Sequence, residues 1–119
     1  LARSRGLGDV YKRQLFNDNI NENMISNVLN KYELESFKSD IVGDFSSGMV
    51  KRSEIAIADL KNPKVLCIDE PKVYLDENGV DLLLNLISKR EKEGSTSILS
   101  SQESIGAFTS IERSFNLDD

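Results

Sequence analysis

Histidine is absent from this sequence, which removes imidazole as a general base, a proton shuttle or a metal ligand. There is a single cysteine, Cys67, so no disulfide closes within the chain and no Cys-x-x-Cys pair exists for metal or redox work. Because Cys67 lies in an apolar run, a buried core thiol is expected there. No apolar run approaches the roughly 20 residues of a membrane-spanning helix. Net positive charge is lacking too: a formal charge of −5 and a pI near 4.8 argue against a grip on nucleic acid. A phosphate loop of the form G-x-x-x-x-G-K-[ST] is missing. Gly6-Leu7-Gly8 has the wrong spacing, and Lys12-Arg13 is followed by Gln14 rather than a hydroxyl. There is no internal repeat and no low-complexity tract. A length of 119 residues allows one small domain with room for a core.

What is present concentrates between Phe45 and Asp76. Val65, Leu66, Cys67 and Ile68 form a short apolar run that suits a strand buried on both faces of a parallel sheet. The run ends in two carboxylates, Asp69 and Glu70, at the strand end where open α/β sheets bind ligands. Pro71 donates no hydrogen bond to a ladder and stops the strand. One acid suits Mg²⁺, which takes oxygen ligands and keeps several waters; its neighbour suits the orientation of an attacking water. Upstream, Ser46, Ser47 and Gly48 precede a helical run through Leu60 that Asn62-Pro63 ends. Ser46 is placed to cap that helix, and Gly48 lets another group approach the backbone. Free N–H groups and hydroxyls at a helix N-terminus form an anion site suited to phosphate.

In this order and spacing, the residues resemble the ATP-binding subunit of ABC transporters. Phe45-Ser46-Ser47-Gly48-Met49 aligns with the family signature L-S-G-G-Q, and Arg52 with the arginine that follows it. Asp69-Glu70-Pro71 falls at the family spacing, and Leu75-Asp76 matches the D-loop. The S-S-G-M variant is also similar to the haem-exporter and multidrug branch. The resemblance implies an α/β fold: part of a P-loop NTPase (ABC ATPase) domain, with parallel strands flanked by helices and the N-terminal half missing. It implies ATP and Mg²⁺ as ligands, a second ATP-binding subunit paired head to tail, and a transmembrane permease subunit as a further partner. Phe45, Ser46, Ser47, Gly48, Met49 and Asp76 would be cofactor-binding residues, with Ser46 and Gly48 touching the γ-phosphate of ATP held by the partner's glycine loop and Asp76 contacting the facing subunit. Asp69 would serve the metal, and Glu70 would polarise water. The family's switch histidine aligns with Ser101, which with Gln102 stands where imidazole is expected. Glu54 and Asp59 occupy helix positions that are usually apolar in the family, and Lys72-Val73-Tyr74 replaces a small, polar stretch.

The remainder is read around this centre. Ser4–Gln14 matches one reading frame of the adapter and transposon end used in tagmentation libraries. Residues 1–14 are therefore expected to be non-native and to pack little. Residues 15–119 are expected to be the C-terminal part of the nucleotide-binding domain, with the glycine loop and Q-loop upstream. Without Arg3, Arg5, Lys12 and Arg13, and with only Asp9 removed among the acids, the balance becomes more acidic still. Such a chain is expected to be inactive alone, its parent working at the inner, cytoplasmic face of a membrane through the permease.

Residues 15–23 read as a loop, and Met24, Ile25, Val28, Leu29 and Tyr32 as a helix face. Residues 36–44 read as a polar connector. Asp76 is expected to cap a helix running to about Glu93, with Val80, Leu83, Leu84 and Ile87 as its stripe and Leu82 and Leu86 widening it. Lys89, Arg90 and Lys92 are read as a solvated last turn, and Gly94 as the residue that ends it. A strand at residues 96–100, a helix at 103–108 and a half-buried strand at 111–117 complete an alternating α/β order. Two other readings stay open: a non-transport ABC-type ATPase acting in translation or DNA repair, and a non-enzymatic α/β interaction domain in which Asp69-Glu70 is only an acidic strand end.

Overall fold

The computed structural model describes Gly6 and residues 19–102. In chain order these form α1 (Glu22–Lys31), two short 3₁₀ turns (Glu35–Phe37 and Val42–Asp44), α2 (Ser47–Lys61), β1 (Val65–Asp69), α3 (Glu77–Lys92) and β2 (Thr96–Ser100). The helix expected at 103–108 and the strand expected at 111–117 lie outside the described residues.

Each helix begins at the polar cap that its sequence offers. Asn21, Ser46 and Asp76 accept from the backbone N–H of Met24, Met49 and Gly79 respectively, satisfying donors that a helix start leaves open. The ends are equally specific. At the end of α3 the Gly94 N–H bonds the carbonyl of Glu91 and the Ser95 N–H that of Arg90. That is a Schellman ending, with Gly94 left-handed at φ 79° as this motif favours. The end of α1 makes the same pair of bonds, Glu33 N–H to Asn30 and Leu34 N–H to Leu29, but with a glutamate at φ 59° in the glycine position.

β1 and β2 pair in parallel, with Val65 opposite Thr96 and Asp69 opposite Ser100. α3 is the crossover between them, the usual way to join parallel neighbours. The core lies on one side of this pair and joins Ile25, Val28, Leu29, Tyr32 and Leu34 to Ile55, Ala56, Leu83 and Leu86, with Leu66, Ile68 and Leu99 packed against it. Burial of both strand faces is not observed. Val65 and Ile98 are 56% and 52% exposed, and Cys67 is exposed rather than a core thiol. Side chains alternate across a sheet, and among the described residues the helices cover only the face that carries Leu66, Ile68 and Leu99. Of the expected α3 stripe, Leu83 and Leu86 are buried and Val80, Leu82, Leu84 and Ile87 half-buried; Gly79 and Arg90 extend the buried line. Gly6 pairs with Ile41 in an isolated antiparallel bridge, a contact made by the segment expected to pack little; Leu7, Val10 and Tyr11 lie outside the described residues.

Two charged residues are buried where solvated or apolar ones were expected. Arg90 is 0% exposed. It donates to Ser97 Oγ, Asn62 Oδ1 and the carbonyls of Pro63 and Thr96, at 2.8–3.3 Å. It is thus a staple between the approach to β1 and the start of β2 rather than part of a solvated turn. Asp59, its side chain 6% exposed, takes Lys31 at 2.6 Å, Tyr32 Oη at 2.9 Å and Lys89 at 3.3 Å. A carboxylate is tolerated on this helix face because α1 and α3 both deliver cations to it. Glu54, at the other position that departs from the family, is exposed.

Burial pushes the Asp59 carboxyl up, but hydrogen bonds from Lys31 and Tyr32 and the charges of Lys31 and Lys89 outweigh it, leaving the group below its usual range. Its stabilising contribution is therefore complete above the unfolded carboxylate value, about pH 3.9, and is lost as pH falls through the lower folded value. Asp59→Asn is expected to destabilise the chain by about 1–3 kcal/mol at neutral pH and to flatten acid unfolding below about pH 4. Urea titrations of both proteins across pH check this.

Candidate nucleotide site

The start of α2 and the end of β1 approach the same turn. Ser46, extended at φ −63° and ψ 161°, caps α2 through its hydroxyl. Phe45 packs edge-on against Phe37, ring centroids 6.1 Å apart, and so anchors the entry to the helix. Ser46 and Ser47 are exposed, Gly48 and Met49 half-buried. The group that approaches Gly48 is a protein carbonyl: a Cβ built there would stand 2.9 Å from the Tyr74 oxygen. The signature-like helix start therefore seats directly on the turn that follows the two acids.

One turn into α2, Lys51 donates to the Asp69 carbonyl at 3.0 Å. Arg52 divides its guanidinium between Glu33 at 2.9 Å and Asp76 at 2.8 Å. Sequence reasoning aligned Arg52 with a family position but gave it no partner, and it missed Lys51 altogether. The available signal was spacing: residues three and four beyond Gly48 share its helix face.

At the carboxyl end of β1 the strand register brings a second segment onto the acids. Ser100 Oγ donates to Asp69 Oδ1 at 2.6 Å, and the Glu70 N–H donates to the Ser100 carbonyl at 2.7 Å. The Glu70 carboxylate is gripped at both oxygens, by Ser101 Oγ at 3.2 Å and by the Gln102 N–H at 3.0 Å. Glu70 itself is left-handed, φ 48°, an arrangement a non-glycine residue keeps only where its surroundings over-determine it. Buried Pro71 follows, and the turn closes with the Val73 N–H on the Glu70 carbonyl at 3.2 Å. Tyr74, also left-handed at φ 67°, leaves its ring 68% exposed.

Asp76 completes the turn. The Gly79 N–H that it caps, assisted by the charge of Arg52, holds its carboxyl below the usual range. The structure thus gathers Asp69, Glu70 and Ser101 at one strand end, and Ser46, Gly48 and Asp76 around the adjoining turn.

The contact at Gly48 is directly testable. Gly48→Ala puts a methyl against a backbone oxygen that has no flexible side chain to yield. A loss of about 1–3 kcal/mol is expected, with backbone NMR shifts centred on Tyr74 and Leu75. Chemical denaturation and amide spectra measure both.

Comparisons with known proteins bear on the family and the fold. A sequence profile described as ABC transporter matches residues 7–73. The uncharacterized ABC transporter ATP-binding protein YybJ of Bacillus subtilis is 36% identical over 80 residues, 67% of this chain and 37% of that one. The lantibiotic transport ATP-binding protein SrtF of Streptococcus pyogenes is 38% identical over 82 residues, 69% of this chain and 36% of that one. The matched stretch therefore spans little more than a third of these relatives. Among solved structures, an ATP-binding subunit of an ABC transporter superposes with a TM-score of 0.74 at 21% identity, covering 86% of this chain and 45% of that one. CbiO1 from Clostridium perfringens, part of the complex cbiONQ, superposes at 0.62 with 27% identity, covering 84% and 42%. The profile match alone takes in more than half of the 119 residues, and the chain belongs to the ABC transporter family.

Proposed function

We propose that this chain supplies the signature face and the carboxylate pair of an ATP-hydrolysing ABC transporter subunit. The observation that carries the reading is the joint placement of Asp69-Glu70 beside Ser100–Gln102 and of Ser46–Gly48 on the turn leading to Asp76. The donor chemistry fits ATP with Mg²⁺. Asp69 offers hard carboxylate oxygens, one of them oriented by Ser100. Magnesium, when bound, would neutralise charge on the phosphates.

In this reading Glu70 orients and polarises the attacking water, and Ser101 with the Gln102 N–H fixes which way its carboxylate points. That grip does part of the work of the family's switch histidine. Ser46, Ser47 and the amides opening α2 meet the γ-phosphate of ATP held by a second subunit, Phe45 and Met49 set the position of that helix start, and Asp76 contacts the facing subunit. The partners are a head-to-tail second copy or homologue and a transmembrane permease, which places the assembly at the cytoplasmic face of the membrane. Nucleic acid is not among the partners, in keeping with the formal charge of −5. The Ser46-Ser47-Gly48-Met49 variant supports a place in the haem-exporter and multidrug branch. The match of Ser4–Gln14 to a translated adapter favours a domain boundary near Leu15, against which the family profile match begins at residue 7.

The test uses a longer chain that carries a glycine loop ahead of Leu15. Glu70→Gln should abolish turnover while ATP still binds, because the amide keeps the size of the carboxylate without its charge; the expected loss is at least about 100-fold. Sizing in ATP should then show Glu70→Gln trapped as a dimer. Adding Ser46→Arg should return it to monomer by filling the phosphate pocket offered to the partner. A double variant that still dimerises in ATP would show the Ser46–Gly48 stretch to be a helix cap only.

A further inference from the structure

Among the described residues two helices end with the same Schellman bonding, and one of them does so in the favoured way. α3 uses Gly94 at the left-handed position, where a side chain would meet nothing within 4 Å. α1 uses Glu33 there, against the Cβ clash that makes glycine the usual choice. The glutamate has something to do that glycine cannot. Its Oε2 accepts from Arg52 Nη1 at 2.9 Å and from Asn78 Nδ2 at 2.7 Å. The other arm of Arg52 reaches Asp76 Oδ1 at 2.8 Å, the same oxygen that caps α3 through Gly79. The Arg52 side chain is only 15% exposed, whereas those of Glu33 and Asp76 are 62% and 70% exposed. One largely covered guanidinium therefore joins two surface carboxylates on different elements. A charged network with a fixed arginine at its centre holds geometry better than an isolated surface pair.

We propose that Glu33 is a positioning residue: it aims Arg52 at Asp76 and ties the end of α1 to the start of α3, so that the α1 end and the Asp76 turn move together. This rests on the reading of Asp76 as a contact to the facing subunit. In that setting a shift of α1 is transmitted to the subunit contact through Glu33 and Arg52, with Asn78 bracing the carboxylate from α3. The coupling is electrostatic and largely at the surface, so salt weakens it.

Amide hydrogen exchange on the 119-residue chain without nucleotide tests the hold itself, apart from any ATP-driven pairing. Glu33→Gly relieves the left-handed backbone and so keeps the fold; Glu33→Gln keeps the side-chain length without the charge. Both should speed exchange of the Gly79 N–H by about three-fold, with the Cys67 and Ile98 amides of the strand ladder unchanged. In the wild type, raising salt to about 1 M, where the screening length is about 3 Å, should speed Gly79 exchange in the same direction, and in both variants, which keep only the Arg52–Asp76 pair, the salt effect should be smaller. The proposal is overturned if Gly79 exchange and its salt response are the same in all three proteins, or if Gly79 and the ladder amides speed up together. Should Gly79 respond as expected while the ATP-driven dimer fails to form, Glu33 keeps its role and the assignment of Asp76 to a subunit contact falls.

Discussion

The parallel register of β1 and β2 rests on one buried guanidinium. Arg90 projects from the last turn of α3 and meets acceptors on both sides of it: Asn62 and Pro63 before β1, Thr96 and Ser97 at the start of β2. A buried arginine that donates from all three of its nitrogens fixes both distance and orientation, because its planar fork constrains where the acceptors stand. With the strand starts held, Asp69 must stand opposite Ser100 at the other end. A slip of one residue would turn Asp69 to the other face and take Ser100 away from it. The chemistry at the carboxyl end thus depends on a contact at the opposite end of the sheet, near no proposed ligand.

The carboxyl end carries strain of its own. Glu70 and Tyr74 are both left-handed without being glycine, a cost of about 1–3 kcal/mol each. Both lie in the turn that Gly48 seats upon and Pro71 stiffens. The turn is held by the Ser101 and Gln102 bonds to Glu70 on one side and by the Arg52–Asp76 pair on the other. Such over-determination orients a carboxylate without further reorganisation, which is what the role proposed for Glu70 requires. The exposed Tyr74 ring stands where the family has a small residue, and its backbone carbonyl, not its side chain, is the part that meets Gly48.

Much of this was legible in the sequence because it is local. Caps at Ser46 and Asp76, the stop at Asn62-Pro63, the end at Gly94 and the strand running into Asp69-Glu70 are each decided by neighbouring residues and appear as expected, although that strand is covered on one face rather than two. The errors concern what crosses between elements. Arg90 looked like a dipole-compensating surface charge, since nothing within its own helix reveals the acceptors that the loops before β1 and β2 provide. Asp59 departed from the family pattern until Lys31 and Lys89 were seen to converge on it from two other helices. Cys67 lies in an apolar run, but among the described residues the core covers the opposite sheet face. Glu33 gave no signal at all, because its left-handed backbone becomes visible only once the end of α1 is placed.

The central claim is that Ser46–Gly48 faces ATP bound by another subunit while Asp69 and Glu70 serve ATP bound by their own. The most direct measurement is cysteine crosslinking in a glycine-loop-bearing chain, with Ser46→Cys paired against a cysteine beside the glycine-loop lysine and Cys67 replaced by serine. A crosslink between two chains that forms with ATP and Mg²⁺ and is lost without nucleotide is expected. A crosslink that forms within one chain, or that forms equally well without ATP, would contradict the claim.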